Sequence, residues 1–171
     1  MSRFVVENAE DTKLLAQTIA KYLRSGDLVI LSGDLGTGKT VFARALLASM
    51  GVKEVVTSPT FVLVKSYQGV IPIDHIDIYR IYDPDELDIL CIGDLLEDGH
   101  AVVIEWGERA IGLLGPSYIQ ITFERLESEI SIDEEVAGAA KRFVTVDFNG
   151  PRFRDRARQL EAEIETIWSV A

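Results

Sequence analysis

The chain has 171 residues, 47% of them hydrophobic, which suits one domain with a sizeable core and leaves no long tract to disorder. Its 28 acidic against 17 basic side chains give a formal charge of −11, which opposes strong unaided binding to nucleic acid, because that binding relies on Lys and Arg displacing counterions. A polar start from Met1 to Thr12, the absence of any run of about 18 apolar residues and a single cysteine, Cys91, lead to the expectation of a cytoplasmic protein with no internal disulfide and no membrane or DNA partner.

Arg3 to Glu7 reads as a short edge strand. Asn8 to Thr12 offers N-caps for an amphipathic helix with the stripe Leu14, Leu15, Thr18, Ile19 and Tyr22, stopped by Ser25-Gly26. The next stretch, Leu28 to Thr40 (LVILSGDLGTGKT), joins an apolar strand to a glycine-rich turn and a helix start. It carries the P-loop pattern G-x-x-x-x-G-K-[ST], with Gly33 and Gly38 as the fixed glycines. Glycines let the backbone fold closely round phosphate oxygens, so that the run Asp34, Leu35, Gly36, Thr37, Gly38, Lys39 and Thr40 can turn successive N–H groups inward as an anion nest. The helix N-terminus adds partial positive charge; Lys39 would contact the β- and γ-phosphates and the Thr40 hydroxyl would complete the coordination of Mg²⁺. Val41, Phe42, Ala45, Leu46 and Met50 continue a helical stripe until Gly51 closes it.

Val55-Val56 is a short apolar piece, and Thr57-Ser58-Pro59-Thr60 a polar turn. Phe61 to Tyr67 and Val70 to Tyr79 read as strands of an antiparallel hairpin separated by Gln68-Gly69. In the second strand Ile71, Ile73, His75, Asp77 and Tyr79 share one face, and Asp74, Ile76 and Ile78 the other. Asp83-Pro84 opens a helix to about Leu90, Ile92 to Leu96 forms another short piece, and Ala101 to Trp106 suits a buried central strand. Tyr118 to Glu127, Glu129 to Asp133 and Lys141 to Phe148 are further candidate strands in an antiparallel meander appended to the nucleotide-binding half. Leu160, Ile164, Ile167 and Trp168 line one face of a C-terminal helix beginning near Pro151. The expectation is a single α/β domain over residues 1–171: a P-loop NTPase-like mixed β-sheet flanked by helices, with an antiparallel C-terminal extension.

Hydrolysis or transfer needs a carboxylate to order Mg²⁺ and a polar group to orient the nucleophile. Asp77 and Glu105, each near the end of an apolar strand, meet that description; for Glu105 the bland alternative is a rim pair with Arg109. Thr60 lies in a loop that can fold back over a nucleotide as a switch, against simple turn chemistry for Ser58-Pro59-Thr60. His75 is a general base or, more commonly for a lone strand histidine, an orienting residue. Arg80 is either an arginine finger in cis or a partner of Asp83 or Asp85. The alternating Arg152, Arg154, Arg156 and Arg158 read first as a solvated basic patch balancing Glu161, Glu163 and Glu165, and second as a contact for a protein or RNA.

Together GDLGTGKT (33–40), TSPTF (57–61), HIDIYR (75–80) and IEWGE (104–108) resemble the TsaE family, with the order and spacing matching from Ala9 to Arg109. The resemblance implies a small bacterial P-loop ATPase that takes ATP and Mg²⁺. It also implies support for N6-threonylcarbamoyladenosine synthesis at tRNA position 37, by engaging a TsaB–TsaD protein complex, with TsaC as a functional partner and tRNA reached only indirectly. By motif it places Lys39 and Thr40 at phosphate and metal, Thr60 in the switch-like loop, Asp77 in the Mg²⁺ region, Glu105 at the catalytic acidic position and Trp106 packed beside it. Thr37 departs from a common Ala and Cys91 from a common Gly, and the region from Tyr118 onward carries no motif of the resemblance. A metabolite kinase is the enzyme alternative, but no Arg/Lys-rich lid is evident between Tyr82 and Gly99. A GTPase would show a guanine-reading N/T-K-x-D segment, and none is present.

Overall fold

A computed structural model describes residues 1–81, 83–126 and 141–168. In chain order the elements are β1 (Ser2–Val6), α1 (Ala9–Ala20), β2 (Leu28–Gly33), α2 (Lys39–Ser49), β3 (Val64–Gln68), β4 (Pro72–Asp77), α3 (Pro84–Asp88), α4 (Ile92–Glu97), β5 (Ala101–Glu105), β6 (Tyr118–Arg125), β7 (Arg142–Asn149) and α5 (Arg154–Ile167). The seven strands among the described residues form one sheet in the order β1-β7-β6-β2-β5-β4-β3.

The centre of the sheet is parallel. β2 lies between β5 and β6, parallel to both, and β4 pairs parallel with β5 in a register that sets Asp77 opposite Glu105. Both flanks are antiparallel, β3 against β4 on one side and β6–β7–β1 on the other. Leu28 to Leu31 and Ala101 to Ile104 are fully buried, which is why these strands read as continuous apolar runs instead of alternating ones. The C-terminal extension is continuous with the central sheet: β6 hydrogen-bonds directly to the P-loop strand β2. The candidate strand at Glu129 to Asp133 falls outside the described residues.

One face of the sheet packs against α1, α2 and α5 through Leu15, Ile19, Phe42, Leu46, Phe123 and Leu160, and the other against α3 and α4 through Ile30, Ile76, Leu87, Ile92 and Ile104. Asn8 caps α1, accepting from the Glu10 and Asp11 amides at 2.8 and 3.0 Å, and Asp83 caps α3 by accepting from Asp85 N at 3.1 Å. Leu14, expected in the stripe of α1, is 41% exposed.

The predicted strand from Phe61 begins only at Val64. Phe61, Val62 and Leu63 form a turn in which the Val62 and Leu63 amides donate to Pro59 O, and Leu63 takes a positive φ of 64°. The turn after Pro59 takes up these residues before the strand can begin, and the exposed Phe61 ring lies 4.8 Å from the Arg80 guanidinium. Cys91, before α4, has φ 47°, the left-handed conformation glycine adopts most easily.

The arginine run is a solvated patch only in part, because Arg156 is buried and Arg152 is drawn into an ion pair. Arg156 Nη1 and Nη2 donate to Asp27 at 2.5 and 2.9 Å, and Arg152 Nε joins at 2.9 Å; Asp27 is fully buried. These side chains fasten α5 to the turn before β2, while Arg154 and Arg158 remain exposed.

Candidate active site

The P-loop connects β2 to α2 at the C-terminal edge of the parallel strands, the edge where open α/β sheets place ligands. Gly33, Gly36 and Gly38 have φ values of 125°, 77° and 107°. At Gly33 a Cβ would collide with the Phe123 carbonyl of β6, so the tight start of the loop requires glycine. Thr37, 1% exposed, closes the loop on itself by donating its hydroxyl to Asp34 O at 2.8 Å.

Lys39 begins α2 and folds back over the loop, its Nζ donating to Gly33 O at 2.5 Å and Asp34 O at 2.7 Å. The ammonium lies 3.6 Å from the centroid of the Trp106 ring. Burial pushes its pKa below the ordinary value of 10.5, opposed by the nearby charges of Glu105, Glu108, Asp34 and Asp77. Trp106 reaches this position because the chain leaves β5 at φ 65°, a strained conformation for a bulky side chain that swings its ring against Tyr79, centroids 4.9 Å apart.

Thr40 donates to Glu105 Oε2 at 2.8 Å, and His75 Nε2 lies 2.9 Å from Glu105 Oε1. Since a carboxylate only accepts, the histidine proton is on Nε2, and the buried Nδ1 has no hydrogen-bond partner among the described residues. Glu105 is thus 2% exposed and oriented from two sides, rather than paired with Arg109, which donates to Tyr79 O at 2.9 Å. Asp77, one strand over, accepts from the hydroxyls of Thr60 at 2.7 Å and Ser58 at 3.2 Å and from Tyr79 N at 2.9 Å. The Ser58–Thr60 turn is therefore tied to the end of β4.

These groups line one pocket of about 360 Å³, bounded by Leu35, Gly36, Gly38, Lys39, Thr40, Ser58, Thr60, Asp77, Tyr79, Glu105 and Trp106. His75 supports the pocket from beneath through Glu105. Arg80 is not among its walls; its guanidinium stacks 4.8 Å from the centroid of Phe61, without an ion pair to Asp83 or Asp85. A glycine-rich loop, the Lys39 ammonium, the Thr40 hydroxyl and the Asp77 and Glu105 carboxylates suit a polyphosphate with a hard divalent cation. Among the described residues no three His, Cys, Asp or Glu side chains form a cage for a metal ion.

Two contributors carried no local signal. Arg125 at the end of β6 donates to Leu35 O at 2.8 Å, and Arg142 at the start of β7 donates to Thr37 O at 3.0 Å. They lie 90 and 105 residues along the chain from the loop residues they touch, and the pairing of β6 with β2 and of β7 with β6 brings them there.

A parallel sheet centre bearing a glycine-rich loop at its C-terminal edge defines a P-loop-like α/β protein. The family model for "Threonylcarbamoyl adenosine biosynthesis protein TsaE" matches residues 6–134, and the chain belongs to this family. It is 39% identical over 127 residues to the tRNA threonylcarbamoyladenosine biosynthesis protein TsaE of Mycobacterium bovis, covering 68% of this chain and 75% of that protein. Against the TsaE of Bacillus subtilis the identity is 31% over 154 residues, covering 90% of this chain and 89% of the relative. The crystal structure of Bacillus subtilis YdiB superposes with a TM-score of 0.72 at 26% identity, covering 94% of each chain.

Proposed function

We propose that this chain is an ATP-binding and ATP-hydrolysing accessory protein for N6-threonylcarbamoyladenosine synthesis on tRNA. It acts in the cytoplasm as one domain with a TsaB–TsaD complex, alongside TsaC, and reaches tRNA through those proteins. The observation that carries the reading is the meeting of Thr40, Glu105 and Asp77 in the pocket that contains Lys39 and the loop glycines. Family membership supplies the pathway, and the charge of −11 supports action through protein partners instead of direct grip on RNA.

The loop amides and Lys39 hold the phosphates, and Lys39 exchanges its two loop carbonyls for phosphate oxygens as it does so. Thr40 and Asp77 present oxygens to Mg²⁺, which when bound neutralises charge on the phosphates. Glu105, fixed by Thr40 and His75, accepts a hydrogen bond from the attacking water and orients it. Thr60 reports occupancy through Asp77, because its loop is tied to that carboxylate.

Reconstituted tRNA modification with TsaB, TsaD and TsaC, run with and without this chain, tests the reading. Multiple-turnover yield should rise with the chain and with its ATP hydrolysis; equal yields in the two reactions would refute the assigned role.

A further inference from the structure

Arg125 and Arg142 face each other across the antiparallel β6–β7 pair, a placement of like charges that costs stability. Arg142 is also buried, 8% exposed, which adds desolvation to the repulsion; burial, then the Arg125 charge, lowers its pKa. Each donates to a carbonyl of the P-loop, Arg125 to Leu35 O and Arg142 to Thr37 O.

A trans peptide is planar, with its C=O and the following N–H pointing in opposite directions. Holding Leu35 O and Thr37 O toward the arginines therefore turns the N–H groups of Gly36 and Gly38 the other way. Gly36 and Gly38 both line the pocket that holds Lys39 and Thr40. A Cβ at Gly36 would stand 2.9 Å from Arg125 Nη2, and one at Gly38 would stand 2.5 Å from Arg142 Nη1. The two alternate glycines are the places where the guanidinium groups approach the loop from its back.

We propose that Arg125 and Arg142 are positioning residues that hold two P-loop carbonyls outward and so aim the Gly36 and Gly38 amides at the phosphates of the nucleotide. The inference rests on the nucleotide-binding reading above, and the arginines touch the loop without lining the pocket. They act by limiting the orientations of two peptide planes before binding, which lowers the ordering cost when phosphate arrives. The clamp also makes the C-terminal strands part of the phosphate site without placing any of their side chains in it.

The test uses the full chain with Arg125→Met, Arg142→Met and Arg142→Lys. Binding of ADP and AMP is measured by calorimetry at low and high salt, and the order parameters of the Gly36 and Gly38 amides are measured by NMR without nucleotide. Each Met variant should bind ADP about 10-fold more weakly, roughly the loss of one hydrogen bond to a charged group. AMP, which lacks the phosphate these amides would hold, should change little. The ADP loss should persist at high salt, where a long-range charge effect would be screened. Order parameters should fall at Gly36 in Arg125→Met and at Gly38 in Arg142→Met, with Arg142→Lys intermediate.

Unchanged order parameters together with unchanged ADP affinity would overturn the clamp. So would an ADP loss that vanishes at high salt and is fully restored by Arg142→Lys, since charge alone would then account for it. If Arg142→Met fails to fold, the exposed Arg125 still decides through Gly36. Failure of the unmodified chain to bind ADP would instead refute the nucleotide reading, leaving the order parameters to decide whether the loop is clamped.

Discussion

The Thr40 hydroxyl donates to Glu105 Oε2 at 2.8 Å, tying the first turn of α2 to the last residue of the central strand β5. A hydroxyl has one proton and two lone pairs, so Thr40 can keep this bond while its oxygen faces a cation. Glu105→Ala should leave nucleotide affinity within a few-fold and lower ATP turnover about 100-fold, the scale of losing a positioned general base. Phosphate release and calorimetry on the same preparation check this; undiminished turnover would remove Glu105 from the chemistry.

Asp77 gives one carboxylate oxygen to the Ser58 and Thr60 hydroxyls and the other to Tyr79 N. Asp77→Asn retains the shape but loses the charge facing the pocket. The Mg²⁺ concentration for half-maximal hydrolysis should rise about 10-fold, the usual effect of altering a group that orders a metal site. A Mg²⁺ titration with the same midpoint in both proteins would show that Asp77 serves the Thr60 loop alone.

The Asp27–Arg156 pair is buried on both sides, with Asp27 fully covered and Arg156 6% exposed. Arg156→Met should destabilise the fold by about 3 kcal/mol, since among the described residues it leaves the buried carboxylate with Arg152 alone as an ionic partner. Adding Asp27→Asn should recover much of the loss, because a neutral amide can still accept from the Arg24 amide without a charge to compensate. Urea unfolding of the single and double variants measures both steps; a double variant no more stable than Arg156→Met would contradict the burial argument.

Glu163 accepts from Lys21 Nζ at 2.6 Å and Tyr22 Oη at 2.7 Å, and these bonds, Lys21 first, hold its carboxyl below the ordinary value of 4.5. A carboxylate whose pKa is lowered by folding contributes stability above the unfolded value and loses it as pH falls through the folded one. The stability advantage over Glu163→Gln should therefore be constant near neutral pH and shrink as pH drops below about 4.5. Urea midpoints of the two proteins across this range provide the measurement, and an advantage that grows on acidification would have the wrong sign.

Much of the site was legible because its parts are local. Gly33 to Thr40 is a contiguous pattern, Asp77 and Glu105 are acids closing apolar strands, and Asn8 and Asp83 announce helix starts by their own side-chain chemistry. What periodicity could not convey was where distant segments meet. The role of Arg156 depends on Asp27, which lies 129 residues away. Residue type at short spacing is enough to mark the glycine-rich loop, the acids Asp77 and Glu105 and the apolar strands that end in them. Only the tertiary structure decided that β6 lies beside β2 and delivers Arg125 and Arg142 to the back of the loop. Strand order is set by long-range pairing and burial, and no window of neighbouring residues records those contacts.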